Sequence, residues 1–392
     1  MKRILAVVAC MLLVGFAALA LEPGKDLFVP SVGHGQGQVV NGVRAQWRAD
    51  LWIFNPGSQA ATVDIFLLLR NQANDTPDSR RVTVNPGEVR HFPDIVLSQF
   101  GKDSTYGALR IVADRPVFVT GSSYDANVTV ESKQRGAGTA GQFFSGIPAG
   151  QAVGVGETVN VIGLDQDGQG TDGVWRSNLA FVETAGQSAS LNVERLDGTG
   201  QSLGMVPVSL RPREAKQLDL ALLAINPTPG SNQRVRVKVI AGPGRVIAAA
   251  SRIDNRTGDP STVEMAGMGS AGTYLCKVDK ASYDTPVTLA ISNGTITQVE
   301  ATVLITDEDV GTSCTGGELL RIAQTLSPPV ALEDGTFSFT AGGTVGGVGV
   351  TMELVGSVDG YGGLAGEVTT TLTGAGGCSG TKTWPLVGAR LR

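Results

Sequence analysis

Residues 47–59 read WRADLWIFNPGSQ and residues 175–187 read WRSNLAFVETAGQ, with Trp, Arg, Leu and Gln held at one spacing 128 positions apart. The correspondence continues along the chain. TVDIFLLL (62–69) falls against SLNVERLD (190–197), VTVNPGEVRHFPDIVL (82–97) against VSLRPREAKQLDLALL (208–223), and VFVTGSSYDAN (117–127) against VIAAASRIDN (246–255), at offsets between 126 and 129. An offset this steady across four separated blocks marks a tandem duplication. It predicts two copies of one domain, over residues 27–140 and 141–266.

Each copy has the pattern of antiparallel β structure. Short alternating or β-branched runs are separated by the turn signals Asn55-Pro56-Gly57, Asn85-Pro86-Gly87, Asp197-Gly198 and Pro243-Gly244. Glycine, at 53 residues, is about twice its usual share and leaves few places for a long helix. The expectation is an all-β fold: two tandem antiparallel, Ig-like β-sandwiches. Trp47 and Trp175, repeated at a strand start, are expected to anchor the core or the sheet end. The only helical hints are single turns at residues 94–97 and 219–222, each with an aspartate near its start.

A third unit, a glycine-rich β domain over residues 273–392, follows the linker AGMGSAG (266–272). TLAISNGTITQV (288–299) reads as a hairpin around Asn293-Gly294, and VALEDGTFSF (330–339) as a second around Asp334-Gly335. From Gly342 to Gly377 glycine is so frequent that side chains are expected to specify the register weakly. With the (W)RxNL start, the proline-then-DL segment and the ending SRIDNRTGD (251–259), the paired blocks resemble an uncharacterised repeat in secreted proteins of environmental bacteria. The first copy departs from that ending, reading SSYDANVTV. The last block, with its two hairpins and CSGTKTW (378–384), resembles a glycine-rich β module near the ends of exported bacterial proteins. Neither resemblance implies an activity or catalytic residues.

With 42% hydrophobic and 17% charged residues, the 392-residue chain has the composition of a folded protein. A net charge of −5 and a pI near 5.2 provide no basic stripe, so nucleic acid is not an expected partner. Lys2 and Arg3, an apolar run and the ending Ala18-Leu19-Ala20 make residues 1–20 an expected signal peptide cleaved after Ala20. The rival, a lipoprotein box ending at Cys10, has too short an apolar run before the cysteine. No later run is long enough for a transmembrane helix, so the mature chain is expected at the cell surface, outside the cell or in the periplasm. It would retain Cys276, Cys314 and Cys378. Three pairings are open; a disulfide between Cys314 and Cys378, both in glycine-flexible loops, is favoured over metal ligation, for which no CxxC spacing exists.

Candidates for chemistry are few. Gly200-Gln201-Ser202-Leu203-Gly204 matches a nucleophile elbow in form, but no histidine follows it, and a hairpin loop is the expected reading. The only histidines, His34 and His91, are expected on surface turns or at strand ends. Asp165, Asp167 and Asp172 alternate with glycines, as oxygen ligands around calcium do, although the twelfth position of the loop is Arg176. Calcium is thus the one candidate ion. Asp254, Asn255 and Asp259 read as an Asx turn. GHGQGQ (33–38) and GTK (380–382) are weak phosphate-loop matches. Trp52 is a candidate ligand contact because the second copy has Ala180 there, and a position that differs between copies is not demanded by a shared core.

The expected function is a non-catalytic extracellular structural, adhesive or protein-interaction module, with a protein or polysaccharide partner at the cell surface. The alternative is a calcium-assisted carbohydrate-binding module. A hydrolase with carboxylates assembled by the fold ranks third.

Overall fold

The computed structural model describes residues 21–40, 42–128, 138–170, 172–267, 272–279, 284–292, 295–305, 318–332, 335–345, 348–358, 362–373 and 379–391. Cys314 and Cys378, the 293–294 turn and residues 1–20 lie outside them. Every strand ladder is antiparallel, and the fold is all-β.

The first unit contains β1 (Gly24–Val40), β2 (Val43–Phe54), β3 (Ala61–Leu69), β4 (Ser79–Val84), β5 (Val89–Phe92), β6 (Thr105–Val128), β7 (Gly138–Ser145) and β8 (Ile147–Pro148). A single turn, α1 (Ile95–Ser98), follows β5. One sheet has the order β4-β3-β6-β1 and the other the order β5-β2-β6-β7. The 24-residue β6 serves both, crossing between them at the exposed Asp114-Arg115-Pro116, where proline has no N–H to give a ladder. Alternate residues face inward: Val63, Ile65 and Leu67 meet Leu51, Ile53, Leu109, Ile111, Val117 and Val119, all essentially inaccessible. Each such side chain contributes about 1.5–3 kcal/mol relative to exposure.

The second unit contains β9 (Thr158–Gln166), β10 (Trp175–Glu183), β11 (Ala189–Leu196), β12 (Ser202–Leu210), β13 (Ala215–Leu218), the single turn α2 (Ala221–Ile225), β14 (Gly230–Ala241), β15 (Val246–Asp254) and β16 (Pro260–Glu264). Its sheets have the orders β12-β11-β14-β9 and β13-β10-β15-β16. Position by position these are the orders of the first unit, with β14 and β15 replacing the two halves of β6. The 140/141 boundary read from the sequence falls inside β7, which pairs with β6 and finishes the first unit's second sheet. β8 then pairs with β1, so the first unit extends to Pro148.

The two sandwiches dock through an apolar seam. Phe28, Leu68 and Ala108, on the outer side of β1, β3 and β6, meet Val182, Ala215 and Ile247 on the outer side of β10, β13 and β15, with Ile147 and Ala152 beside them. Asn74 clips the seam. Its side chain donates to the carbonyls of Leu69 (3.0 Å) and Arg213 (2.9 Å) and accepts from Leu69 N–H (2.8 Å). Trp47 and Trp175 are half-buried at sheet ends; the Arg252 guanidinium lies 3.9 Å from the Trp175 ring centre.

The third unit is one eight-stranded sheet ordered β20-β19-β18-β17-β24-β23-β22-β21, made from β17 (Gly272–Asp279), β18 (Asp284–Ser292), β19 (Thr295–Ile305), β20 (Glu318–Ala331), β21 (Thr336–Val345), β22 (Val348–Val358), β23 (Gly363–Thr373) and β24 (Ser379–Arg390). The 288–299 hairpin is present, with Ser292 paired to Thr295. The 330–339 hairpin is not: β20 and β21 stand at opposite ends of the hydrogen-bonded order. Pro328 and Pro329 near the end of β20 cannot donate to such a ladder. Nor is register weak in the glycine-rich segment. β22 and β23 pair without a break from Gly349↔Thr373 to Val358↔Leu364, because Val350, Met352, Leu354, Val368 and Leu372 all turn into the core. The Phe337 ring lies against Gly356, where a Cβ would stand 2.8 Å from it. Threonines form rungs on the opposite face, Thr369 to Thr383 at 2.8 Å and Thr371 to Thr381 at 3.1 Å.

A candidate binding face on the first unit

Register fixes what the outer side of the β5-β2-β6-β7 sheet presents. Phe54 is opposite Phe118 and Val89; Trp52 is opposite Thr120 and His91; Asp50 is opposite Ser122; and Arg48 is opposite Tyr124. Phe143 enters from β7 beside Ser122. The face therefore passes from apolar at one end, through aromatic, to charged at the other.

The charged end is a closed network. Asp50, 9% exposed, accepts the Asp94 backbone N–H at 2.8 Å and the Tyr124 hydroxyl at 3.2 Å on Oδ1, and lies 2.9 Å from His91 Nε2 through Oδ2. Asp94 has a left-handed backbone, φ 45°, and its side chain does not cap α1. Its carboxylate instead bonds His34 Nδ1 at 2.9 Å and lies 3.5 Å from Arg48 Nε. Arg48 Nη1 lies against the same ring, 2.7 Å from His34 Nδ1 and 2.9 Å from Nε2. Burial, with the Asp50 charge next to it, pushes the Tyr124 hydroxyl above its usual value, so it remains a donor to Asp50. Both histidines of the chain thus meet in one cluster, His34 buried within β1 and His91 on the edge strand β5.

The aromatic middle stands on this bracket. Trp52 and His91 stack with ring centres 4.5 Å apart and planes 3° from parallel. That separation matches the spacing of neighbouring strands, so the rings stand upright and present their edges outward. Phe143 flanks Trp52 on the other side at 6.0 Å and is 63% exposed.

The second unit supplies an internal control. The equivalent positions hold Ala180 for Trp52, Gln217 for His91, Asn178 for Asp50, Leu220 for Asp94, Ile253 for Tyr124, Thr262 for Phe143 and Gln166 for His34. One bond is kept: Asn178 Oδ1 accepts the Leu220 N–H at 2.9 Å, with Leu220 also left-handed at φ 48°. The fold thus requires an acceptor at this position. It does not require the charges or the rings, which belong to the first unit alone. Moreover, the second unit's face is covered at the seam through Val182, Ala215 and Ile247, whereas on the first unit's face Val89 and Phe143 are 59% and 63% exposed among the described residues.

Of the residues singled out in the sequence, Trp52 and the two histidines come together here. Asp50, Asp94 and Phe143 were missed, although the substitution of Asp50 by Asn178 is visible once the copies are aligned. The aspartates of the candidate calcium loop have the following contacts among the described residues. Asp165 accepts Asn232 N–H at 2.7 Å and pairs with Arg252 at 2.7 Å, Asp167 accepts Trp175 N–H at 2.8 Å, and Asp172 is exposed. Their oxygens serve the backbone and an arginine, and no group of three or more His, Cys, Asp or Glu among the described residues could hold a metal. Ser202 opens β12 in a hairpin whose turn is organised by Asp197, with no helix following. Asp254 accepts Arg256 N–H at 2.8 Å in an Asx turn. The glycines of GHGQGQ lie in β1, where a Cβ at Gly33 would overlap the Tyr106 ring and one at Gly37 the Trp47 ring. Cys276 is buried, and burial pushes its thiol up to about 12.

A family model described as a family of unknown function (DUF5719) matches residues 6–221, more than half of the chain, and the chain belongs to that family. The match covers the whole first unit and the second as far as the start of α2. No curated protein matches. Among solved structures, the crystal structure of Thermotoga maritima 1070 is 20% identical and aligns over 31% of this chain and 92% of that one, with a TM-score of 0.21. Bacteroides uniformis β-glucuronidase 2, covalently bound to cyclophellitol-6-carboxylate aziridine, is 9% identical over 59% of this chain and 25% of its own, with a TM-score of 0.11. Neither likeness carries an argument about function.

Proposed function

We propose that this member of the family is an exported, non-catalytic protein-interaction module that binds through the open outer face of the β5-β2-β6-β7 sheet. The observation that carries the reading is the contrast between the copies. In the second unit this face is buried against the neighbouring sandwich through Val182, Ala215 and Ile247; in the first it bears Trp52 and Phe143, with Phe143 63% and Val89 59% exposed among the described residues. Upright rings favour a protein over a sugar. A sugar ring packs on a flat aromatic face, and both faces of Trp52 are flanked, by His91 and by Phe143. Ring edges between other side chains suit interdigitation with a second protein surface. The carboxylates and imidazoles beneath are engaged with one another, which supports a rigid bracket in place of an acid–base pair.

The test is capture of cell-envelope fractions by the immobilised protein. Capture is expected to disappear after protease treatment of the fraction, to survive glycosidase treatment, and to weaken at least ~tenfold with Trp52→Ala or Phe143→Ala. Binding that survives protease and is lost to glycosidase overturns the reading.

A further inference from the structure

Resting on that reading, we infer that the partner of the open face is a second copy of this chain, docked head to tail. The molecule already shows the docking mode once: the outer face of β4-β3-β6-β1 in the first unit sits on the outer face of β13-β10-β15-β16 in the second. Because the two units share one strand order, each also has the unused counterpart. The first unit's receiving face is the open aromatic one. The second unit's presenting face is the outer side of β12-β11-β14-β9.

The two unused faces are complementary. Around its hollow the presenting face carries Arg234, which donates to Asn160 Oδ1 at 2.7 Å, Arg236, which pairs with Glu194 at 2.8 Å, and Lys238, and Glu194 is the one carboxylate lining that hollow, in a chain whose net charge is −5. At the equivalent places the first unit has Ala108, Arg110 and Val112, so the extra positive charge is particular to the face left uncovered. The receiving face carries the 77% exposed Asp103 at its charged end, above the internally paired Asp50, Asp94 and Arg48. Shape agrees with charge. The basic face is a hollow of about 670 Å³, bordered by Met205 at 54% exposure, and the acidic face bears the standing rings of Trp52 and Phe143. Arginine against aromatic edges and faces is a favoured interfacial contact. Since the contacting faces differ, the contact is heterologous and does not close on itself after two copies.

Sedimentation velocity on the purified protein decides the matter. The average mass is expected to rise with concentration beyond the dimer, and 1 M salt is expected to weaken association at least ~tenfold by screening. Phe143→Ala and Arg236→Glu are each expected to weaken it at least ~tenfold, the second also lowering the melting temperature somewhat because it breaks the pair with Glu194, so Arg236→Gln is read beside it and is expected to weaken association in the same direction. An equimolar mixture of Phe143→Ala and Arg236→Glu is expected to form a complex that stops at 1:1, because one variant keeps only the basic face and the other only the aromatic face. A wild-type chain that stays monomeric, a symmetric dimer that grows no further, or variants that do not complement one another overturns the proposal. If the chain is monomeric while Phe143→Ala still abolishes capture of an envelope protein, the second copy is excluded and the protein-interaction reading stands.

Discussion

Replacing Arg195 with leucine tests how the second unit closes one end of its sandwich. Arg195 lies on β11, is 1% exposed, and occupies the position held by Leu67 in the first unit, so the fold accepts an aliphatic side chain there. In the first unit the carbonyls at the end of α1 are met by backbone donors, Gly101 N–H to Leu97 at 2.8 Å and Lys102 N–H to Val96 at 3.2 Å. The second unit reads NPTPG after α2, and Pro227 and Pro229 have no N–H to offer. Arg195 supplies the missing donors. It bonds the carbonyls of Leu222 (2.8 Å), Asn226 (2.6 Å) and Thr228 (2.8 Å) and the Gln233 side-chain oxygen (2.5 Å).

In Arg195→Leu the buried Gln233 side-chain oxygen loses its donor at about 2 kcal/mol, while the Leu222 carbonyl keeps the Asn226 N–H at 3.0 Å and loses about 0.5 kcal/mol. Water can reach the other two, at about 0.5 kcal/mol each. Burying the leucine returns about 1 kcal/mol, so the net loss is about 2.5 kcal/mol. For a cooperative unit of this size that corresponds to a fall in Tm of roughly 5–10 °C. Urea unfolding read together with calorimetry measures it. A loss below about 1 kcal/mol with an unchanged m-value would refute the idea that the arginine substitutes for backbone donors.

Three further outcomes follow from the same geometry. Asn74→Ala removes three side-chain donor bonds and one acceptor at the seam and is expected to cost about 2–3 kcal/mol, splitting the calorimetric transition of the two sandwiches into two. Asp50→Asn, which imitates Asn178, is expected to lose no more than about 1 kcal/mol, while Asp50→Ala orphans the Asp94 N–H beneath a left-handed residue and loses about 2 kcal/mol; equal effects in urea titrations would contradict this. Burial alone raises the Glu214 carboxyl, but bonds from Arg211 and its backbone N–H, with Lys216 nearby, outweigh it and hold the group below its ordinary 4.5. A carboxylate depressed on folding contributes stability above its unfolded value and loses it as pH falls through the folded one. The stability gap between wild type and Glu214→Gln is therefore expected to shrink as pH is lowered below about 4.5, and a gap independent of pH would contradict the assignment.

The duplication was legible because a strand that must bury one face repeats its inward residues, and these recur at a fixed offset, as Val63, Ile65 and Leu67 do against Leu191, Val193 and Arg195. The binding face was only partly legible for the complementary reason. Outward residues are free to differ, so Trp52 against Ala180 stood out within an aligned block. His34 and Phe143 lie in β1 and β7, whose counterparts share no sequence blocks with them, and only strand register brings them beside Asp94 and Trp52. Alternating aspartates in a sequence do not show which partners the fold gives them: Asp165 accepts the Asn232 N–H and Asp167 the Trp175 N–H. The missing hairpin at 330–339 shows the same limit: an Asp-Gly pair marks a turn, but whether the flanking strands pair depends on which edges the sheet has left, and Pro328-Pro329 withdraws one of them.

The most direct measurement is carbodiimide cross-linking of an equimolar mixture of isotopically heavy and light protein, followed by mass spectrometry. Heavy-to-light links between Lys238 of one copy and Asp103 of another are expected, with Trp52 and Phe143 shielded from hydroxyl-radical labelling in the same sample. Links confined to single chains, or mapping to other surfaces while Trp52 and Phe143 label as readily as in the dilute monomer, would contradict the claim that the open face of the first unit receives the basic face of the second.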